Sequence, residues 1–100
     1  MEKRTPHCKL ALVHQFVRAG QVRTTFTALA GAAALGLDSG AMFNVILGLA
    51  PSDFYKSMTT HDDHRIWQDV YRAYTAAGRV YLKLTVIDDL LIVSFKELQA

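Results

Sequence analysis

Residues 80–95 read VYLKLTVIDDLLIVSF, and this stretch decides the fold. Apolar and polar residues alternate on both sides of residues 88–89, which is typical of two strands joined by a two-residue turn. Folding the stretch about that turn places Tyr81 opposite Lys96. Because side chains alternate between the two faces of a strand, one face of this hairpin is apolar and the other is polar. The sequence therefore predicts a hairpin with one buried and one exposed face.

The two faces of the predicted hairpin suggest different roles. The apolar face is a candidate core, made of Val80, Leu82, Leu84, Val86, Leu91, Val93 and Phe95. The opposite face carries a phenol, two ammonium groups and a hydroxyl near the open end of the hairpin, from Tyr81, Lys83, Lys96 and Ser94. Cross-strand partners lie about 5 Å apart between their Cβ atoms, so such groups can act together on one phosphate.

The remaining sequence predicts helices first and strands afterwards. Start and stop residues define three helices, which run from Thr5-Pro6 to Gly20, from Thr24 or Thr25 to Leu35, and from Asp38 or Ser39 to Pro51. Residues 21–24 are either an extended link or a small edge strand. The period then changes to that of strands, at residues 54–59, 66–71, 80–87 and 90–95. Short connections favour antiparallel neighbours, so we expect an α+β fold with three N-terminal helices packed on one face of a four-stranded antiparallel sheet.

Length and composition limit the class of protein. One hundred residues with 51% hydrophobic content predict one domain, residues 1–100, with one core. Cys8 is the only cysteine, which excludes an intramolecular disulfide and fits a reducing cytoplasm. The apolar runs are shorter than the roughly 18 residues of a membrane span, and the N-terminus lacks an apolar signal core. We therefore expect a cytoplasmic protein with no membrane partner and no cofactor.

The polar face of the hairpin extends into a row if neighbouring strands pair suitably. A five-residue loop at residues 60–64 would pair Lys56 with Gln68, and the next bend would pair Gln68 with Tyr81. Lys56, Gln68, Tyr81 and Lys96 would then cross all four strands. Only the pairing of Tyr81 with Lys96 follows from a tight turn, because a one-residue slip would move Gln68 to the other face. An open antiparallel sheet usually has one wet face, so a solvated surface remains an alternative.

A row of this composition suits RNA cleavage. RNA carries its own nucleophile, the 2′-hydroxyl, and cleavage needs a base, an acid and cations that offset charge on the phosphate oxygens, but no metal. Tyr81 would exchange protons, since Lys83 and Lys96 would stabilise negative charge on its oxygen. A lysine of the row would alternatively serve as the base or hold the phosphate as a compact charge. Gln68 would orient a phosphate or a base edge.

Five blocks of sequence then carry a resemblance that covers essentially the whole chain. They are MEKRTPH at residues 1–7, AGQVRTT at 19–25, SDFYKSMTT at 52–60, WQDVYR at 67–72 and VSFKE at 93–97. In these blocks the chain resembles the motility quorum-sensing regulator (MqsR) toxins. The resemblance implies a RelE-like fold and an mRNA interferase that cuts at GC-containing triplets such as GCU, leaving a 2′,3′-cyclic phosphate and a 5′-hydroxyl. It also implies a neutralising antitoxin with a zinc-binding N-terminal domain and a helix-turn-helix domain, through which alone operator DNA would be reached.

The resemblance and the predicted row together select the candidate site residues other than Arg72. Arg72 is added because it would hold a backbone phosphate, with an exposed, solvated arginine as the alternative. The catalytic candidates are Lys56, Gln68, Tyr81 and Lys96, and the substrate-binding candidates are Tyr55, Met58 and Arg72. We expect the two lysines to offset phosphate charge, Tyr81 to exchange protons and Gln68 to position the scissile group. Residues 26–35, 61–62 and 73–77 match the family less well. The last two stretches are predicted loops beside the cleft, so nucleotide preference or antitoxin fit would differ there.

Several of these residues also fit other interpretations. His61 and His64, with two neighbouring aspartates, form a weak candidate for a metal site, because four polar loop residues more often lie in water. Tyr55 and Trp67 would either stack on an unpaired base or fill the core. A non-catalytic protein that binds RNA or an antitoxin would use the same cationic face. A nuclease that acts only on the ribosome would cut mRNA during translation alone.

Overall fold

Residues 1–98 are described by a computed structural model, in which three helices are followed by the main strands of a sheet. The elements are β1 (Glu2–Lys3), α1 (Leu10–Arg18), β2 (Val22–Thr24), α2 (Phe26–Ala34), α3 (Ser39–Leu47), a 3₁₀ turn (Pro51–Asp53), β3 (Phe54–Thr59), β4 (Trp67–Thr75), β5 (Gly78–Ile87) and β6 (Asp89–Glu97). The strand order is β1-β3-β4-β5-β6-β2. Within residues 1–98, no single helix is long and apolar enough to cross a membrane; α2 and α3 together pass by length and composition alone and are bent by 90°.

The fold expected from the sequence was wrong in three respects. The sheet has six strands rather than four, and it is mixed, since β2 runs parallel to β6. The helices also do not form one layer on the sheet: α2 packs closely on β6, α1 contacts β6 less, and α3 packs mainly on α1 and α2. Of the two added strands, β1 has two residues, and β2, which the sequence left open as a small edge strand, has three. Strands so short show no alternating pattern, and they form because the edges of β3 and β6 offer unpaired backbone groups.

The helix starts were predicted correctly for α2 and α3 but not for α1. Thr25 caps α2 by accepting the Ala28 N–H at 3.0 Å, and Asp38 caps α3 by accepting the Ala41 N–H at 2.8 Å. The predicted start of the first helix at Thr5-Pro6 is wrong, because α1 begins at Leu10.

Asp69, a buried carboxylate of β4, explains the later start of α1. Its two oxygens accept the backbone N–H groups of His7 and Cys8 at 3.0 and 2.9 Å. These bonds satisfy two donors that a helix would otherwise have to leave to solvent, and they hold the segment against the sheet. The chain is therefore free to turn into a helix only after residue 8.

The core lies between the helices and one face of the sheet. Its largest buried members are Tyr71, Phe95, Met42, Ile46, Leu82, Leu84, Leu90 and Ile92. Gly31 permits the close approach of α2 to β6, since a Cβ at this position would lie 1.8 Å from the carbonyl oxygen of Phe95. Glycine at this position therefore allows α2 to lie directly against β6 on the helix side of the sheet.

The predicted two-residue turn of the β5–β6 hairpin is also wrong. Ile87 pairs with Asp89 across the single residue Asp88, which adopts a positive φ of 66°. A bulge at Val93 then adds one residue to β6, so that Lys83 still pairs with Ser94 and Tyr81 with Lys96, as predicted.

The bulge changes which residues of β6 belong to the core. Leu90 and Ile92 are fully buried, whereas Leu91 and Val93, the predicted core residues, are only partly buried. Phe95 lies beyond the bulge and is buried as predicted. The misplaced turn and the unexpected bulge therefore cancel each other at the open end of the hairpin, where the candidate site lies.

Candidate active site

The sheet face opposite the helices, called here the outer face, carries the candidate site residues. Ala73, Val80 and Leu82 are buried on the helix side. Strand alternation therefore directs their neighbours Arg72 and Tyr81 to the outer face. By the observed register, the other outer-face residues are Glu2, Lys56, Met58, Gln68, Val70, Lys83, Ser94 and Lys96.

Tyr81 lies among three cationic side chains on the outer face. The Nζ atoms of Lys96 and Lys83 are 5.3 and 5.9 Å from the centroid of its ring. Arg72 is its cross-strand partner on β4. The phenol is partly exposed, so it is accessible to a ligand from solvent. A phenol surrounded in this way can exchange a proton while the cations balance negative charge.

Tyr55 joins the same group through a bulge in β3. Phe54 pairs with Tyr71 and Lys56 with Val70, which leaves Tyr55 without a direct partner on β4. Its ring lies 3.8 Å from the guanidinium carbon of Arg72 and 5.4 Å from Lys56 Nζ. Stacking of this kind holds a guanidinium in place and leaves its N–H groups free to bind a phosphate.

These side chains form a cationic cluster, which consists of Tyr55, Lys56, Arg72, Tyr81, Lys83 and Lys96. Five of these six are among the predicted site residues, and the structure brings them together. Lys83 is the addition, because the sequence places it on the polar face of the hairpin without identifying it as a site residue.

Lys56 is held by a carboxylate that the sequence did not reveal. Its Nζ lies 2.7 Å from Oε1 of Glu2, on the edge strand β1. This hydrogen bond raises the pKa of Lys56 above its usual range, and it lowers the pKa of Glu2. Lys56 is therefore protonated at neutral pH, which suits a phosphate-binding cation better than a base. No sequence signal identifies Glu2, because a two-residue strand has no period.

The predicted register that placed Gln68 beside Tyr81 is wrong. Gln68 pairs with Met58 rather than with Lys56, and Tyr81 pairs with Arg72. Gln68 meets Met58 because Thr59 pairs with Trp67, so that the loop between β3 and β4 spans residues 60–66 rather than 60–64. Tyr81 meets Arg72 because the β4–β5 turn is tighter than expected. The ladder continues to the last pair, Thr75 with Gly78, and this moves the partner of Tyr81 four residues along β4. A shift by an even number leaves Gln68 on the outer face.

Gln68 and Met58 instead lie in an open cleft beside the cationic cluster. The cleft has a volume of about 450 Å³ and is lined by Met1, Glu2, Met58, Thr59, Thr60, His61, Asp62, Gln68 and Lys83. Pockets of this size accommodate a small organic ligand or a nucleotide. Lys83 belongs to both groups, since it lines the cleft and lies near the ring of Tyr81.

The other polar residues considered from the sequence lie elsewhere. Trp67 stacks on His7 at 5.5 Å between centroids, on the side of the sheet that faces the N-terminal segment. His14 is half-buried, with Nε2 2.9 Å from the carbonyl oxygen of Ile46. Burial raises the pKa of the Cys8 thiol, and the charge of Asp69 adds to this effect. Residues 1–98 contain no group of three or more histidine, cysteine or acidic side chains arranged to hold a metal.

Comparison with known proteins agrees with the resemblance noted from the sequence blocks. Residues 5–97 match the family described as motility quorum-sensing regulator, toxin of MqsA. The chain is also 66% identical over 97 residues to the mRNA interferase toxin MqsR of Escherichia coli strain K12, covering 97% of this chain and 99% of that protein. The predicted family is thus confirmed. The chain belongs to the motility quorum-sensing regulator family of toxins.

Proposed function

We propose that this protein cleaves single-stranded mRNA at GC-containing triplets such as GCU, without a metal. Membership of the family makes it a toxin and an endoribonuclease of the mRNA interferase kind. Beyond this, we propose the triplet that is cut, the chemistry of the cut and the residues that carry it out. The observation that carries it is the position of Tyr81 on an exposed sheet face, with Lys83 and Lys96 within 6 Å of its ring.

The proposed reaction is an internal transfer at phosphorus. The 2′-oxygen of the ribose attacks the adjacent phosphate and loses its proton to a base, while the 5′-oxygen of the next nucleotide leaves with a proton from an acid. The products are a 2′,3′-cyclic phosphate and a 5′-hydroxyl. Tyr81 carries out one of these two proton transfers. Lys56 and Lys96 offset the negative charge that develops on the phosphate oxygens.

The remaining candidates bind the substrate around the scissile phosphate. Arg72, stacked on Tyr55, is placed opposite Tyr81 and holds the RNA backbone. Gln68 and Met58 are displaced along the strands, so we assign them to a nucleobase in the cleft rather than to the scissile group itself. An amide can read a base edge, and a thioether adapts to its flat face.

The proposal includes the setting in which the toxin works. Residues 1–100 act as a single ribonuclease domain in the cytoplasm, and inhibit translation by destroying mRNA. The family is described by its pairing with MqsA. We propose that a cognate antitoxin, with a zinc-binding N-terminal domain and a helix-turn-helix domain, neutralises this chain and alone connects it to operator DNA.

The direct test is cleavage of a purified GCU-containing transcript in the presence of EDTA, with mapping of both new ends. We expect cuts at GC-containing triplets, cyclic phosphate ends and no effect of the chelator. Lys56→Ala should slow cleavage about 100-fold, since it removes a positive charge beside the phosphate. Lys56→Arg, which keeps the charge, should recover part of the rate.

Three outcomes would contradict the proposal. Loss of activity in EDTA would contradict metal-independent cleavage. Retained RNA affinity without scission at high protein concentration would favour a non-catalytic binding protein. Cleavage only in a translating extract would favour a nuclease that depends on the ribosome.

A further inference from the structure

The outer face continues beyond the cationic cluster towards the tip of the β4–β5 hairpin. Arg72 pairs with Tyr81, and two residues further along each strand Tyr74 pairs with Arg79. All four side chains share the outer face, because each pair is separated from the next by two residues. Two successive pairs thus each join a cation to a phenol. The cation lies on β4 in the first pair and on β5 in the second.

Tyr74 differs from the other aromatic residues of the sheet in its exposure. Its side chain is 81% exposed, although its neighbour Ala73 is buried. The guanidinium carbon of Arg79 lies 5.2 Å from the ring centroid. Arg79 has no ion-pair partner among residues 1–98. An exposed aromatic ring beside a cation that has no ion pair within the described residues is a combination on which single-stranded nucleic acids bind, with a base on the ring and a phosphate on the cation.

The position and the charge of Tyr74 and Arg79 both favour RNA as the ligand that binds them. Two residues of a strand span about 7 Å, so Tyr74 and Arg79 lie one short step from Tyr81 and Arg72. Among the described residues, the charged side chains that the register places on the outer face are all cationic except Glu2, which suits an extended polyanion. A strand of RNA with its scissile phosphate at Tyr81 would pass over this tip on one side and over the cleft on the other.

We infer that Tyr74 and Arg79 form a second subsite that binds the base and phosphate of a nucleotide flanking the cleaved triplet. The inference rests on the proposed function, because it takes the scissile phosphate to lie at Tyr81. It also corrects an expectation from the sequence. The sequence predicts a loop at residues 73–75, but these residues belong to strand β4, and strand geometry directs Tyr74 to the outer face.

The test compares short GCU-containing RNAs that carry either a normal or an abasic nucleotide at each flanking position. For the wild-type protein, KM should rise about 5- to 20-fold when the base is missing on one flank only, because one stacking contact with a base is lost. Tyr74→Ala should show the raised KM with the normal RNA and no further loss with the abasic one. The single-turnover rate at saturating RNA should not change.

Matched variants separate stacking from other roles of Tyr74. Tyr74→Phe keeps the ring and should behave as wild type. Phe26→Ala removes an aromatic side chain of similar exposure, 85%, from the helical side of the molecule and should have no effect on KM. Arg79→Gln should weaken binding a few-fold and reduce its dependence on salt, because one phosphate contact is lost.

Equal KM values for Tyr74→Ala and Phe26→Ala would overturn the subsite. It would also be overturned if Tyr74→Ala raised KM relative to wild type by the same factor on normal and on abasic RNA, which would indicate a structural role in the hairpin. A loss of antitoxin affinity without a loss of RNA affinity would also overturn it. Binding measured with RNA that lacks the 2′-hydroxyls of the triplet tests the subsite even if no cleavage occurs, so its failure is distinct from failure of the proposed function.

Discussion

Tyr71 and Tyr81 are the same residue type on neighbouring strands, yet they occupy opposite faces of one sheet. Tyr71 faces the helices, is 1% exposed, and its hydroxyl has no hydrogen-bond partner among the described residues. Burial raises its pKa from 10.0 to about 12, with a smaller contribution from the charge of Asp69. Tyr81 faces solvent among Lys83, Lys96 and Arg72. The strand face, rather than the residue type, therefore decides which phenol is available for chemistry.

The largest effect should come from removing each hydroxyl in turn. We expect Tyr81→Phe to slow single-turnover cleavage of a GCU-containing transcript by about 10²–10³-fold, since a group that transfers a proton is lost. Tyr71→Phe should leave the rate within about two-fold of wild type, because its hydroxyl lies on the buried face. RNA affinity, measured with an uncleavable analogue, should stay nearly constant in both variants.

The paired variants also exclude unfolding as the cause. Tyr71→Phe should be as stable as wild type or slightly more stable, because a buried hydroxyl without a partner is removed. A large rate loss in Tyr71→Phe with native stability, or an unchanged rate in Tyr81→Phe, would contradict the assignment of the two faces.

An intermediate effect is expected in alkaline solution. The pKa of Tyr71 is raised in the folded protein, so its contribution to stability is complete below pH 10 and is lost as the pH rises towards about 12. The unfolding free energy of wild type should fall across this range by on the order of 1–2 kcal/mol more than that of Tyr71→Phe, after allowance for solvent screening. Urea denaturation at several pH values measures the difference. Parallel curves for the two proteins would show that Tyr71 ionises as freely in the folded chain as in the unfolded one.

The smallest effect concerns the edge of the outer face. Glu2 places a carboxylate 2.7 Å from Lys56 Nζ, where a phosphate of the substrate would bind. We expect Glu2→Gln to tighten binding of an uncleavable RNA about two- to five-fold at low salt, with the gain disappearing at high salt. Fluorescence anisotropy at two ionic strengths measures it.

Asp88→Asn provides the control for this last effect. It makes the same change in net charge at the β5–β6 turn, and asparagine tolerates the positive φ of 66° found there. Equal tightening in both variants would mean that only the net charge matters. Weaker RNA binding by Glu2→Gln would mean that the carboxylate mainly positions Lys56.

The hairpin at residues 80–95 illustrates how far local pattern extends. Alternation predicted the pairing of Tyr81 with Lys96, and the structure has that pair. It did not predict the one-residue turn at Asp88 or the bulge at Val93, which exchange the buried residues of β6. A bulge depends on how the strand packs against its partner strand and the helices. The alternation of residues within one strand therefore does not predict it.

The sequence predicted the position of Gln68 only in part. Its face was predicted correctly, but its partner was not, because the register between β4 and β5 depends on where a turn closes. Glu2, Lys83 as part of the cleft, and the outward position of Tyr74 were missed for related reasons. Each depends on contacts between strands rather than on the period within a strand.

The sequence by itself determined the family, the caps of α2 and α3, and the polar character of one face of the hairpin, since these depend on local patterns and on long matching blocks. Only the tertiary structure decided the six-stranded mixed sheet, the cross-strand partner of Tyr81 on β4 and the Glu2–Lys56 contact. Short edge strands and registers are selected by packing across the sheet, where residues distant in sequence meet. That selection placed one tyrosine in the core and its neighbour among the lysines.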